Sequence, residues 1–288
     1  MPTVRGRERS RTLPELVAEI SALAAEGVRE VTLLGQNVNS YGRDLRGEDR
    51  TDFAALIRSV GRIDGVERLR YTSPHPKDMK IDVIAAMAHT PAVCEHVHLP
   101  AQSGSTRILK AMRRTYDRGR YLDLVARLHD AIPDLSLTTD LIVGFPGETE
   151  EDFAETLSLI EACRFDGAYT FVYSPRPGTE AAERMADDVD PDTKRDRMQR
   201  LIEVVQRTAA TRAARFVGSE REVLVEGPSR TDPSRRRGRL RQNITVNFDG
   251  TAEPGTLTTV AITGSTSTTL TGRQLACPAP GHELGVRV

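Results

Sequence analysis

The stretch that decides the fold is His98-Leu-Pro-Ala-Gln102-Ser103-Gly-Ser105. A short strand-like run ends there in an amide, hydroxyls and a glycine, and a helical pattern follows from Thr106. Polar chemistry placed where a strand gives way to a helix is how a parallel α/β barrel presents a site, at the C-terminal ends of successive strands. The arrangement recurs on both sides. Upstream stand Leu34-Gly-Gln36-Asn37-Val-Asn39 and Ser73-Pro-His75-Pro; downstream stand Asp140-Leu-Ile-Val-Gly-Phe-Pro-Gly-Glu148 and Ser174-Pro-Arg176-Pro-Gly. Each alone also has a bland reading, as a turn, a helix cap or, for Arg176, a surface salt bridge. Five in succession, all at strand ends, point to one pocket.

From Thr12 to about Thr179 strands and helices alternate. Thr12-Leu-Pro-Glu15 reads as a capping box, and Leu16, Ile20 and Leu23 share a helical face that stops at Gly27. Strands are expected at Val31–Leu34, Leu69–Thr72, His96–Leu99, Leu137–Val143 and Ala168–Tyr173. Helices are expected near 51–60, 81–87, 106–112, 118–131 and 150–162. Alternation of this kind argues a parallel sheet with right-handed crossovers. Periodicity leaves a partial barrel and a doubly wound sheet both open. From Asp190 to about Phe216 the spacing of Met198, Leu201, Ile202 and Val205 predicts a long connecting helix. The segments Val223–Val225, Ile244–Phe248, Leu257–Ile262 and Thr268-Leu-Thr-Gly alternate with turns, which predicts a small β-barrel. The tail from Ala276 to Val288 has no pattern and is expected to be disordered.

A chain of 288 residues with 38% hydrophobic content fits one large and one small domain. No run approaches the roughly 18 apolar residues of a membrane span. The arginine-rich N-terminus lacks the apolar stretch of a secretory signal, so a cytoplasmic protein is expected. Cys94, Cys163 and Cys277 stand too far apart for a disulfide framework or a local metal knuckle. The net charge of −1 gives no global pull toward nucleic acid. Locally, however, Arg230, Arg235, Arg236, Arg237, Arg239 and Arg241 face one acid, Asp232, between Pro228 and Asn243. Such a run either holds phosphates or forms a solvated, flexible loop.

At the strand ends, Gly35-Gln36-Asn37 offers amides to a polar ligand, and prolines stiffen the backbone around Ser73 and His75. Backbone amides near Gln102 and Ser103 suit a carboxylate or hydroxyl. Gly144 and Gly147 allow close approach of a ligand, and the lysine of a phosphate-binding loop is missing. Arg176, held between prolines, suits a carboxylate or phosphate, or else a surface salt bridge.

The motifs at 34–39, 98–105 and 140–148 resemble those of the radical S-adenosylmethionine (SAM) methylthiotransferases. From about Val4 to Leu275 the chain is similar to their MiaB-type, tRNA-modifying branch. Leu34-Gly-Gln-Asn-Val-Asn39 with Tyr41-Gly42 carries that likeness, as does Val246-Asn247-Phe248 with Gly250. The C-terminal segment resembles a TRAM domain, a small β-barrel that grips tRNA, which favours the phosphate reading of the arginine run. The implied fold is α/β: a partial (β/α) parallel barrel missing its first strand over 1–216, with its connecting helix at about 190–216. A small all-β TRAM-like barrel over 217–276 and a tail at 277–288 follow.

The implied reaction transfers a methylthio group to C2 of a prenylated adenosine at tRNA position 37. The implied cofactors are SAM and [4Fe-4S] clusters. The implied partners are the tRNA anticodon stem-loop and an electron donor such as flavodoxin or ferredoxin, with the protein a monomer off the membrane. By the resemblance, Gln36, Asn37, Ser73, His75, Gln102, Ser103 and Arg176 surround the SAM and substrate pocket. Gln36 and Asn37 would meet the amino-acid end of SAM, Gln102 and Ser103 its ribose or carboxylate, and Arg176 a carboxylate or substrate phosphate. One departure stands out. The CxxxCxxC loop that holds the family's catalytic cluster is absent from this sequence, and Cys94, Cys163 and Cys277 lack its spacing. No metal ligand is therefore assigned, and the chain is expected to be an N-terminally truncated enzyme, inactive alone. The alternatives are a non-catalytic RNA-binding fragment, or a related methylthiotransferase acting on a ribosomal protein or another tRNA adenosine.

Overall fold

The structure, a computed structural model, describes residues 9–275. The start of the resemblance at Val4, Cys277 and the expected disordered tail lie outside the described residues. The chain divides into two compact units, Met1–Arg212 and Ala213–Val288.

In the first unit, α1 (Leu13–Ala25) starts where the Thr12 backbone N–H donates to the Glu15 carboxylate at 3.1 Å, and it ends before Gly27 at φ +95°. Five strands follow, β1 (Glu30–Leu33), β2 (Arg68–Tyr71), β3 (His96–His98), β4 (Ser136–Val143) and β5 (Gly167–Val172). Between and after them lie α2 (Phe53–Val60), α3 (Ile81–His89), α4 (Thr106–Ala111), α5 (Arg118–Ala131), α6 (Glu150–Cys163), α7 (Glu180–Arg184) and α8 (Pro191–Ala214), whose last two residues belong to the second unit. Side-chain caps start several of them: Asp52 accepts from Ala55 N, Asp117 from Arg120 N and Thr149 from Asp152 N.

All strand pairs in this unit are parallel: β1 with β2, β3 with β4, and β4 with β5. The two sets join through Leu69, whose N–H donates to Ala92 O at 2.7 Å and whose carbonyl accepts from Cys94 N at 3.0 Å. Spatial order therefore follows chain order. A doubly wound sheet reverses direction at a switch point; this one does not, so the winding is that of a barrel.

The strands have two chemically different faces. Along β4, Leu137, Thr139, Leu141 and Val143 are buried, and the three aliphatic ones share a core with Phe153, Leu159 and Ile160 of α6. Thr138, Asp140 and Ile142 alternate with them on the face turned away from the helices and are half-buried. Register aligns His98 with Thr138, Tyr169 with Asp140 and Phe171 with Ile142. Strand β2, reading Arg-Leu-Arg-Tyr, continues the polar face. The buried Arg70 places Nε 3.0 Å from Glu30 Oε1, and the fully buried Arg68 reaches the same carboxylate at 3.9 Å. Such buried cations require a partner anion.

In the second unit, β6 (Glu220–Pro228), β7 (Arg236–Leu240), β8 (Thr245–Asp249), β9 (Leu257–Ser265) and β10 (Thr269–Gln274) close into a barrel in the order β10-β8-β7-β6-β9. Val223, Val225, Leu240, Val246, Phe248, Val260, Ile262 and Leu270 fill it. The flexible-loop reading of the arginine run is corrected here. Residues 236–240 form a strand because Gly238 and Leu240 face the interior while Arg236, Arg237 and Arg239 stay half-exposed. A Cβ at position 238 would lie 2.5 Å from Leu224 O, so only glycine fits. Among the described residues, no helix is long and apolar enough to cross a membrane.

Candidate functional site at the strand ends

The loops after β1 and β2 are built as one piece. Asn39, buried, donates Nδ2 to His75 O at 3.1 Å and accepts the His75 N–H on Oδ1 at 2.8 Å. Asn37 Nδ2 donates to Asp78 at 2.7 Å, and Arg43 pairs with the other oxygen of that carboxylate. Val38 N donates to Ser73 O at 3.4 Å, while Ser73 itself is exposed at φ +57°. Gln36 is exposed beside them. The His75 ring accepts the Lys77 N–H on Nδ1 at 3.2 Å, which caps a short turn of helix. Burial and the Arg114 guanidinium lower the pKa of His75.

His75 also connects this pair of loops to the next. Its ring meets Tyr116 edge-on at 5.8 Å, and the Tyr116 hydroxyl donates to Pro100 O (3.1 Å) and Ala101 O (3.2 Å). Burial pushes the Tyr116 hydroxyl up to about 12, so it remains a donor. Gln102 follows at φ +70°, its N–H on Asp140 O and its carbonyl on Ile142 N, and its carboxamide has no protein partner among the described residues.

The rest of that loop is docked on α6. Ser103 Oγ lies 3.4 Å from Thr156 Oγ1 and accepts from Ser105 N, Gly104 N donates to Thr156 at 2.9 Å, and Ser105 Oγ donates to Asp152 at 2.6 Å. A Cβ at Gly104 would lie 2.4 Å from Glu155 O. Burial disfavours the Asp152 anion, but Arg107, Ser105 and Thr149 outweigh it and hold the carboxyl well below the usual carboxylate range. Ser103 is thus spent on positioning the Gln102 loop.

After β4, Glu148 folds back so that Oε2 accepts from Gly144 N (2.8 Å) and Arg197 (2.9 Å), while Oε1 is buried with no partner. Burial pushes the Glu148 carboxyl up. After β5, Arg176 is exposed; its carbonyl accepts from Thr179, and its guanidinium has no ion pair among the described residues. On the helix-free face, His98 Nδ1 lies 3.0 Å from Thr138 Oγ1 and Nε2 lies 3.3 Å from Asp140 Oδ1.

Asn37, His75 and Gln102 are therefore joined through Asn39, Asp78 and Tyr116, with Gln36 and Ser73 exposed on the first two loops. No hydrogen bond or ion pair ties Arg176 to them among the described residues. Sequence reasoning quoted Asn39 in its motif without giving it a role and missed Asp78 and Tyr116; the partners of all three are set only by tertiary contact. The pairing of His98 with Asp140 did carry a signal: period two along β4 puts Thr138 and Asp140 opposite the apolar residues.

The donor set suits an organic ligand bearing an ammonium and hydroxyls. Asn37 Oδ1 is a buried acceptor without a partner, Gln102 offers both a donor and an acceptor, and Asp140 is half-buried. SAM fits this chemistry. An iron–sulfur cluster does not fit the described residues. Among them, no group of three or more His, Cys, Asp or Glu side chains could hold a metal ion. Cys94 and Cys163 are buried and not in a disulfide, and burial pushes the Cys163 thiol up to about 12, the reverse of what a thiolate ligand requires.

The arginines of the small barrel are more occupied than their sequence implies. Arg235 pairs with Asp249 at 2.9 Å and Arg236 with Glu253 at 3.6 Å. Arg237 and Arg239 both bond Glu226 through Nε at 2.8 Å. Arg230 is exposed without an ion pair among the described residues, and Arg241 is half-buried.

Comparison with known proteins agrees with both units. The family model of the radical SAM superfamily matches residues 1–160, and that of the TRAM domain matches 214–275. Three curated relatives share the name tRNA-2-methylthio-N(6)-dimethylallyladenosine synthase. That of Acetivibrio thermocellus is 53% identical over 252 residues, covering 88% of this chain and 52% of the relative. That of Acidothermus cellulolyticus is 54% identical over 267 residues (91% and 53%), and that of Clostridium botulinum strain Hall 49% over 276 (96% and 61%). The chain thus spans 52–61% of the length of these relatives. With the superfamily model covering more than half of its residues, this chain belongs to the radical SAM superfamily.

Proposed function

We propose that the chain serves 2-methylthiolation of a prenylated adenosine at position 37 of tRNA. In this reading, residues 1–216 supply part of the SAM-binding core and residues 217–276 grip the anticodon stem-loop. The observation that carries it is identity of 49–54% with synthases of that name over 88–96% of this chain. The chain's own residues act by binding and orientation. Asn37 Oδ1 receives the SAM ammonium, with Gln36 beside it. Gln102 bonds the ribose or carboxylate, and Ser103 holds the Gln102 loop on α6. Ser73 and His75 line the same mouth, and Arg176 meets a carboxylate or a substrate phosphate. The arginine run from Arg230 to Arg241 contacts tRNA phosphates. The protein works in the cytoplasm as a monomer, with an electron donor of the flavodoxin or ferredoxin type.

The test is genetic and chemical. Disrupting the gene and digesting the cell's tRNA to nucleosides should leave prenylated adenosine without its methylthio group, read by mass spectrometry. An unchanged level of the methylthio nucleoside would overturn the proposal.

A further inference from the structure

Strand β5 carries two large aromatic side chains on the face turned away from the helices. Tyr169 is 65% exposed and Phe171 is 50% exposed, in a strand whose intervening residues face the helix side. Residues two apart on a strand lie about 7 Å from one another, so the rings form two separate steps. Tyr169 is held in place by the His98 ring, edge-on at 5.7 Å, and stands in register with Asp140. The steps are thus bordered by donors and acceptors on one side. Past the end of the strand lies Arg176, an exposed cation without an ion pair among the described residues. A purely apolar partner would strand Asp140 and His98 against hydrocarbon. Bases have what this surface asks for: a flat face, a polar edge and an attached phosphate.

We propose that Tyr169 and Phe171 are stacking positions for two unpaired bases of the RNA substrate. The inference rests on the tRNA reading given above and adds the residues that hold the unpaired nucleotides. Each ring takes one base, and the His98 ring packed edge-on against Tyr169 fixes the orientation of the first step. A paired duplex cannot deliver a free base face to either ring.

The test uses the full chain, a synthetic anticodon stem-loop RNA with 2-aminopurine in its loop, and a fully paired hairpin of equal length. The wild type is expected to prefer the stem-loop and to quench the 2-aminopurine. Tyr169→Ala and Phe171→Ala should each weaken stem-loop binding by about 5- to 150-fold. Both should lose quenching and leave the salt dependence and hairpin affinity unchanged. Tyr169→Phe and Phe171→Tyr should bind as the wild type does. Because both rings are exposed, the alanine variants should keep the wild-type melting temperature, which separates lost stacking from lost folding. Stem-loop binding that is equally tight in both alanine variants would overturn the proposal while leaving the tRNA reading intact. Failure of the wild type to bind either RNA at low salt would overturn both. Self-association of the wild type that Phe171→Ala abolishes would assign the face to a protein partner instead and likewise overturn the proposal.

Discussion

Asn39 grips the peptide of His75 at both ends, giving a hydrogen bond to its carbonyl and taking one from its N–H. The two residues lie 36 positions apart, on loops following different strands. A carboxamide is the side chain that can do this, since it presents a donor and an acceptor side by side. Asn39→Ala leaves a buried N–H and C=O without partners. The expected cost is about 2 kcal/mol of unfolding free energy, read by urea denaturation, together with weaker SAM binding because the His75 loop is freed.

Gly104 is required by a close approach of main chains. Its α-carbon hydrogen faces α6 where a Cβ would sit 2.4 Å from Glu155 O and 2.5 Å from Thr156 Cα. Both neighbours are backbone, so neither can rotate away. Gly104→Ala should push the loop off α6, strain the Ser103 and Ser105 bonds and cost about 2 kcal/mol. A melting temperature equal to that of the wild type would show that the loop is not held as tightly as the distances say.

Much of this was legible in the chain. The five strand starts and ends fall within a residue or two of their periodicity, because each is an alternating or apolar run closed by glycine, proline or a capping residue. The barrel-type winding was not legible in the periodicity, and only the family resemblance implied it. It rests on the single junction at Leu69, between runs that periodicity treats as independent. Among candidate residues, Gln102 and His75 were findable from their strand-end motifs. Asn39 stood in the first motif, but its role, like the residues Asp78 and Tyr116, was not findable, since each acts on a residue brought near only by folding. The charge balance around the arginine run was not legible for the same reason. Counting acids between Pro228 and Asn243 finds Asp232 alone, whereas Glu226, Asp249 and Glu253 arrive from adjacent strands and loops.

That neutralisation makes a prediction about RNA. Glu226 is held in its charged form, with Arg239 and Arg237 outweighing the effect of its burial. Glu226→Gln releases the charge that occupies both guanidinium groups. Affinity for tRNA should rise and its dependence on salt should steepen. Arg230→Ala should lower the salt slope by about 1, because Arg230 has no ion pair among the described residues to begin with. Filter binding of tRNA across a salt series reads both. An unchanged slope in both variants would place tRNA on another surface.

Asp152 makes the first unit sensitive to acid. Its carboxyl lies below the ordinary carboxylate range in the folded state, so the unfolded chain takes up a proton first as pH falls. The stability it contributes is present above the unfolded pKa of about 4 and is lost as pH drops through the folded value. Asp152→Asn removes that contribution. The gap in unfolding free energy between wild type and variant should be widest near neutrality and shrink as pH falls from about 5 to about 2. Urea midpoints at several pH values measure it, and a gap that stays constant would assign the Asp152 bonds no role in acid sensitivity.

The pairing of His98 with Asp140 sits on the helix-free face, beside the backbone bond from Gln102 N to Asp140 O. Asp140 is thus tied to the Gln102 loop through its main chain and to His98 through its side chain. Its carboxylate can accept from two ligand hydroxyls, and His98 fixes the direction in which it points. Asp140→Asn keeps the size and the backbone bond but loses the charge. Hydrogen bonds to a charged group contribute about 1.5–3 kcal/mol, so SAM affinity should fall by about ten- to a hundredfold while the urea midpoint stays near that of the wild type. His98→Gln, which can still bond Asp140, should lose less than His98→Ala. Calorimetric titration of SAM into the four proteins separates these outcomes. Equal affinity in all of them would mean that the ligand lies at the loops after β1 and β2 and does not reach the face of β4.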